Sequence, residues 1–170
     1  MKRQEFLHQC GLGLGFMALA ESLAACQEKE SNPPAPTGLS AADEALYNTV
    51  KGKLDGKGQF RDNNTWYLDL KNPTYATLQN PMQFINAQDL GVLILRLDEK
   101  NIKVLDNCCP HLGSRDRWVL QGSRFKCNNH NNVFGIEEAG IAPCGSGATY
   151  VNLRSFPSKL IKDLLQITFP

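Results

Sequence analysis

The chain has 170 residues, 42% of them hydrophobic and 21% charged, with a formal net charge of +1. That length suits one domain of ordinary size. The near-neutral balance points away from nucleic acid, which calls for a dense basic face, and no apolar run reaches the roughly 18 residues of a membrane-spanning helix.

The first residues read as an address. Lys2 and Arg3 form a positive start, residues 11–20 are a short apolar run, and Leu23-Ala24-Ala25-Cys26 follows. This layout marks residues 1–25 as a signal peptide, to be set aside from fold reasoning. Its end resembles the lipobox of bacterial lipoproteins, in which Cys26 would carry diacylglycerol and become the new N-terminus. Residues 3–8 resemble a twin-arginine export motif, with Gln4 in place of the second arginine. That route exports proteins already folded around a cofactor. The expected location is therefore the periplasmic face of a bacterial membrane.

Residues 26–45 are polar and contain Pro33, Pro34 and Pro36. They cannot pack a core and read as an extended tether. Ser40 is a good N-cap for a short helix over the following residues. The domain proper is expected over 46–170. From Thr65 onward the signals are β. Residues 65–70 are aromatic and alternating, and 91–97 are a branched apolar run. Residues 98–101 form a turn and 102–106 alternate again, which predicts a hairpin. Residues 123–127 and 133–136 flank a loop, and 164–170 supply a last strand. The prediction is an all-β domain of short strands whose loops carry Cys and His. Trp66, Tyr67 and Trp118 are expected in the core or at its rim, and Arg115, Asp116 and Arg117 in a solvated loop.

Beyond the signal segment each histidine lies two or three residues after a cysteine. Cys109-Pro110-His111 is one pair and Cys127-Asn128-Asn129-His130 the other. Thiolate and imidazole, two of each, suit zinc or an iron–sulfur cluster. Cys108 precedes Cys109, so the spacing leaves two ligand sets. With Cys108, both pairs have two residues between ligands, and Cys108, His111, Cys127 and His130 would make a closed structural zinc site. With Cys109, the first pair has one intervening residue.

The second pattern resembles the Rieske [2Fe–2S] family, which places such pairs on two loops at one tip of a small antiparallel β-sandwich. Residues 109–113, Cys-Pro-His-Leu-Gly, match its first loop. The resemblance implies that Cys109 and Cys127 hold an inner iron and that His111 and His130 hold an outer, more exposed one. Two ferric ions, two sulfides, two thiolates and two neutral imidazoles sum to zero charge. Such a centre accepts an electron more readily than a four-cysteine cluster, with potentials of roughly −150 to +300 mV.

The second loop departs from the family pattern. Asn131 takes a glycine position, and asparagine tolerates the left-handed backbone needed there. Asn132 replaces a serine hydroxyl, and Phe134 replaces a tyrosine whose hydroxyl bonds a ligand sulfur. Losing donors to sulfur should hold the potential in the lower or middle part of the range. The extra cysteines that high-potential members pair between the loops would fall at Ser114 and Asn129, and both are absent. With Cys10 in the signal, Cys26 on lipid, and Cys109 and Cys127 on iron, Cys108 and Cys144 remain. Cys144 follows Ile141-Ala142-Pro143, which resembles the family's cover loop. An exported compartment permits a Cys108–Cys144 disulfide; the alternative is two separate buried thiols.

The resemblance implies one-electron transfer without a substrate pocket of the protein's own. One expectation is the iron–sulfur subunit of a quinol–cytochrome c reductase-like complex, oxidising quinol near His111 or His130 and passing the electron to a cytochrome. Another is a ferredoxin-like small subunit of some other periplasmic oxidoreductase. A Rieske oxygenase would need further histidines and a large catalytic domain, and a nitrite-reductase-like subunit can lack the ligands present here. Leu112 is expected either at a docking tip or, by a slight preference, packed on the second loop.

Overall fold

A computed structural model describes residues 38–170. The expected signal segment, Cys26 and most of the expected tether lie outside the described residues. Helix α1, Ala41–Lys51, opens the fold. Ser40 caps it, its hydroxyl accepting the N–H of Asp43 at 3.1 Å. This pairs an otherwise free N–H of the first turn. The helix starts inside the stretch 26–45 assigned to the tether and crosses the expected domain boundary. The reason lies in its apolar face: Val50, with Leu46 and Tyr47, packs on Tyr67 and Leu164.

Ten strands follow, in three antiparallel sheets, confirming the all-β class. The first sheet contains β1 (Gln59–Asp62), β2 (Thr65–Asp69), β9 (Ser158–Ile161) and β10 (Leu164–Thr168), in the order β1-β2-β10-β9. The second is β3 (Gln83–Ala87), β4 (Val92–Arg96) and β5 (Ile102–Asp106). The third is β6 (Trp118–Gln121), β7 (Arg124–Cys127) and β8 (Asn132–Phe134). A 3-10 segment, Pro73–Gln79, connects the first sheet to the second.

The apolar run in β4 has a topological cause: it is buried on both faces. Successive strand side chains alternate between faces. Val92 and Ile94, with Val104 of β5, pack against Leu68, Leu165 and Ile167 of the first sheet. Leu93 and Leu95, with Leu105, pack the other way against Trp118, Phe125 and Phe134. The middle sheet thus divides two cores, and the second core supports the metal-site loops. The predicted β4–β5 hairpin is present, with Ile94 opposite Val104. At its turn Asp98 accepts the N–H groups of Lys100 and Asn101.

Candidate metal centre

Three loops meet at one end of the β6–β7–β8 sheet. The first runs from Asn107 at the end of β5 to Arg117 before β6. The second, residues 128–131, joins β7 to β8. The third, residues 141–147, lies over the first. Cys109 and Cys127 are both free cysteines and each is only 1% exposed. Burial pushes the Cys127 thiol up, as does the neighbouring Cys109 thiol, while the backbone N–H groups of Asn129 and His130 pull it down. The His111 and His130 rings stand edge to face with centroids 4.9 Å apart. His111 is half-buried and His130 exposed.

One atom is out of place in a finished protein interior. His111 Nδ1 is buried and has no hydrogen-bond partner. A buried polar atom without a partner costs roughly 1–3 kcal/mol. Together with two adjacent buried thiols and a second imidazole beside it, this orphan has the chemistry of a metal-ligand set. The donor set fits a cluster bound by Cys109, His111, Cys127 and His130, with the thiols inside and the imidazoles outside.

The first loop is held from below by Asn107, which is fully buried. Its carbonyl accepts Trp118 Nε1–H at 2.6 Å, its Nδ2 donates to Asn86 Oδ1 at 3.0 Å, and its Oδ1 accepts Arg115 Nη1–H at 2.6 Å. Asp106 Oδ1 accepts the Cys108 N–H. Sequence reasoning missed Asn107, since nothing in one buried asparagine beside a ligand motif announces its role. Arg115 is also less free than expected, being turned onto Asn107 and Asp106. Arg117 and Asp116 are solvated, as predicted, with 65% and 56% of their side chains exposed. Trp118 is buried against Phe125 and Phe134.

The third loop is strapped to the first. Gly145 N–H donates to Cys109 O, and Gly147 N–H to Pro110 O and His111 O. Cys108 is disulfide-bonded to Cys144, with Cα atoms 5.4 Å apart. This removes Cys108 from the zinc ligand set, so the structural zinc module using Cys108, His111, Cys127 and His130 is corrected: one of its four ligands is already spent on another bond. Gly113, at φ 75°, would bring a Cβ within 3.9 Å of both disulfide sulfurs.

The two ligand loops are joined differently. Asn129 Nδ2 donates to Ser114 Oγ at 2.8 Å. A hydrogen bond therefore spans the two positions where the high-potential pattern has its disulfide. Asn131 adopts φ 62°, the left-handed turn expected of it. Phe134 is fully buried and brings no hydroxyl. Leu112 is 60% exposed and so does not pack on the second loop. The reason is the strap: the third loop's bonds to Pro110 and His111 hold the backbone so that Leu112 points outward.

Paired buried thiols and paired rim imidazoles, on loops of a small β-domain, define a mixed thiolate–imidazole metal centre. A family model described as the Rieske [2Fe-2S] domain matches residues 65–157, more than half of the chain. The chain belongs to the Rieske [2Fe–2S] family. A [2Fe–2S] cluster is the cofactor of that domain, and iron–sulfur electron transfer its chemistry. No curated protein matches the chain.

Proposed function

We propose that the protein carries single electrons at the outer face of a bacterial membrane, tethered there by lipid on Cys26. The observation that carries the electron-transfer part of this reading is the burial asymmetry of the ligand set; the location and anchor rest on the sequence of residues 1–26. Cys109 and Cys127 are enclosed, whereas His130 is exposed and His111 half-exposed. When bound, the cluster supplies a one-electron couple. The chain's own residues do the rest: the thiols anchor it within the core, the third loop covers one side, and the imidazoles form the edge that a partner reaches.

Within that reading the first candidate is the iron–sulfur subunit of a quinol–cytochrome c reductase-like complex. The exposed Leu112 beside His111 and the polar, proline-containing segment before the domain support it. The second candidate is a ferredoxin-like subunit of another periplasmic oxidoreductase. Phe134 and Asn132 favour this one, because they remove two hydroxyl donors that would raise the potential. Purification from solubilised membranes, with a quinol as reductant, separates the two. The first reading predicts reduction by quinol and co-purification with a b-type cytochrome. Failure of both, with another oxidoreductase recovered, selects the second.

The anchor has its own test. Cys26→Ala should move the protein from the membrane fraction to the soluble one. If that variant stays on the membrane, lipid on Cys26 is not what holds it.

A further inference from the structure

We propose that the outer face of the β6–β7–β8 sheet docks a redox protein whose contact surface is acidic. The proposal rests on the electron-transfer reading above and adds the chemistry of the partner. Phe125 and Cys127 are buried, so by alternation Arg124 and Lys126 project from the opposite face of β7. Lys126 stands opposite Val119 and Val133, and Arg124 opposite Gln121. Arg117, one residue before the buried Trp118, belongs to the same face. Val119, at the centre, is open to solvent.

This face is short of negative charge. Between His111 and His130 the chain has Arg115, Arg117, Arg124 and Lys126 against Asp116 alone. Among the described residues, no carboxylate lies within 4.0 Å of Arg124 or Lys126, and Arg117 has only its exposed neighbour Asp116, at 3.5 Å. Other lysines divide: among the described residues, Lys51, Lys159 and Lys162 reach carboxylates of the fold, whereas Lys53, Lys57, Lys71 and Lys100 do not, so what sets this face apart is the grouping of its cations on one strand and the loop beside it.

The stripe ends at the metal centre. Arg117 O accepts the N–H of Asn128 at 2.7 Å, which sets it beside the first residue of the second ligand loop. Lys126 immediately precedes Cys127. A partner held by these cations therefore rests next to His130, the exposed imidazole. A lipid surface pressed on the same face would cover that imidazole, so an acidic protein fits the placement better than an anionic membrane. Opposite charges steer docking and raise association rates in a salt-dependent way.

The test uses the cluster-loaded full chain, reduced and mixed with two soluble c-type cytochromes of similar potential, one acidic and one basic. Stopped-flow rates are followed from low to high ionic strength. The acidic cytochrome should react faster, with a rate that falls as salt rises. Arg117→Glu with Arg124→Glu should slow it about tenfold at low salt and speed the basic one, whereas Arg124→Lys should behave as the wild type. The visible spectrum and midpoint potential of each variant establish that its centre is intact and correct for driving force. Equal rates for the two cytochromes, or rates untouched by the charge reversals, overturn the proposal. So does a double variant that loses binding to phosphatidylglycerol vesicles while keeping its cytochrome rates, which would make the face a membrane contact. A chain with no Rieske-type spectrum sinks the electron-transfer reading itself, and the docking proposal with it.

Discussion

At the scale of single residues, the pair Cys108 and Cys109 decides the chemistry. One is bonded to Cys144 and the other is a free, buried thiol beside Cys127. Cys109→Ser should abolish the visible absorbance of the purified protein, and Cys108→Ser should keep it. The second variant still loses a bridge across 36 residues, worth about 4 kcal/mol by loop-closure entropy. Its cost should appear as a lower unfolding midpoint, without loss of colour. Phe134 offers a finer probe. It is buried where a tyrosine hydroxyl would bond a ligand sulfur in high-potential relatives. A hydrogen bond is worth about 0.5–1.5 kcal/mol, and a one-electron couple shifts 59 mV for each tenfold change in equilibrium constant. Phe134→Tyr should therefore raise the midpoint potential by roughly 20–65 mV; voltammetry showing no rise would mean that the hydroxyl does not reach sulfur. The ligand motif was plain in the sequence because its spacing is specific. Asn107 and the Asn129–Ser114 bond were not, because a buried asparagine and a side-chain pair across two loops leave no periodic trace.

At the scale of elements, helix α1 shows how a polar cluster fastens an N-terminal segment to a sheet. Lys51 Nζ lies 2.7 Å from Asp69 and 3.0 Å from Asp163, and Tyr47 donates to Asp163 at 2.7 Å. Burial alone would raise the Asp163 carboxyl; the hydrogen bonds from Tyr47 and Lys51 outweigh it and bring it down to about 2. Lys51 moves the other way, held above the ordinary lysine range by the two carboxylates despite burial. Because the folded Asp163 value lies below its unfolded one, its contribution is present above about pH 4 and is lost as pH falls towards 2. The contribution is on the order of 2 kcal/mol. Asp163→Asn should be less stable than wild type by about that amount at pH 7, and the two urea midpoints should converge below pH 4. Acid loss of the cluster affects both proteins alike, so the difference between them reports the carboxylate. A gap that persists at pH 2 would assign the effect to packing instead. The helix start was legible from Ser40, but its attachment was not, since Asp69 and Asp163 lie far along the chain and look like ordinary turn acids.

At the scale of the whole molecule, the strands that were legible are those buried on one or two faces. Residues 65–69 and 92–96 carry the apolar pattern that burial imposes. The strands that sequence reasoning passed over, β1, β3, β6 and β9, are each at an edge of their sheet. They carry polar residues such as Gln59, Gln83, Asn86, Gln121 and Lys159, because an edge strand needs only one paired neighbour and one buried face. The 3-10 segment after Asn72 was equally hidden, its only cue being Pro73 behind an asparagine that caps Thr74. The double core built around β4 explains why the loops converge where they do. One core braces the helix-bearing sheet, and the other supports β6–β8 and their ligand loops. Everything at larger scale depends on the four loop residues holding a cluster. The most direct measurement is electron paramagnetic resonance of the dithionite-reduced full chain, with iron and sulfide analysis, on wild type and the Cys109→Ser, Cys127→Ser, His111→Ala and His130→Ala variants. The account predicts a Rieske-type signal in the wild type, with iron and sulfide in equal amounts, and no such signal in any of the four variants. A colourless protein that binds zinc, or a cluster that survives Cys109→Ser, would contradict it.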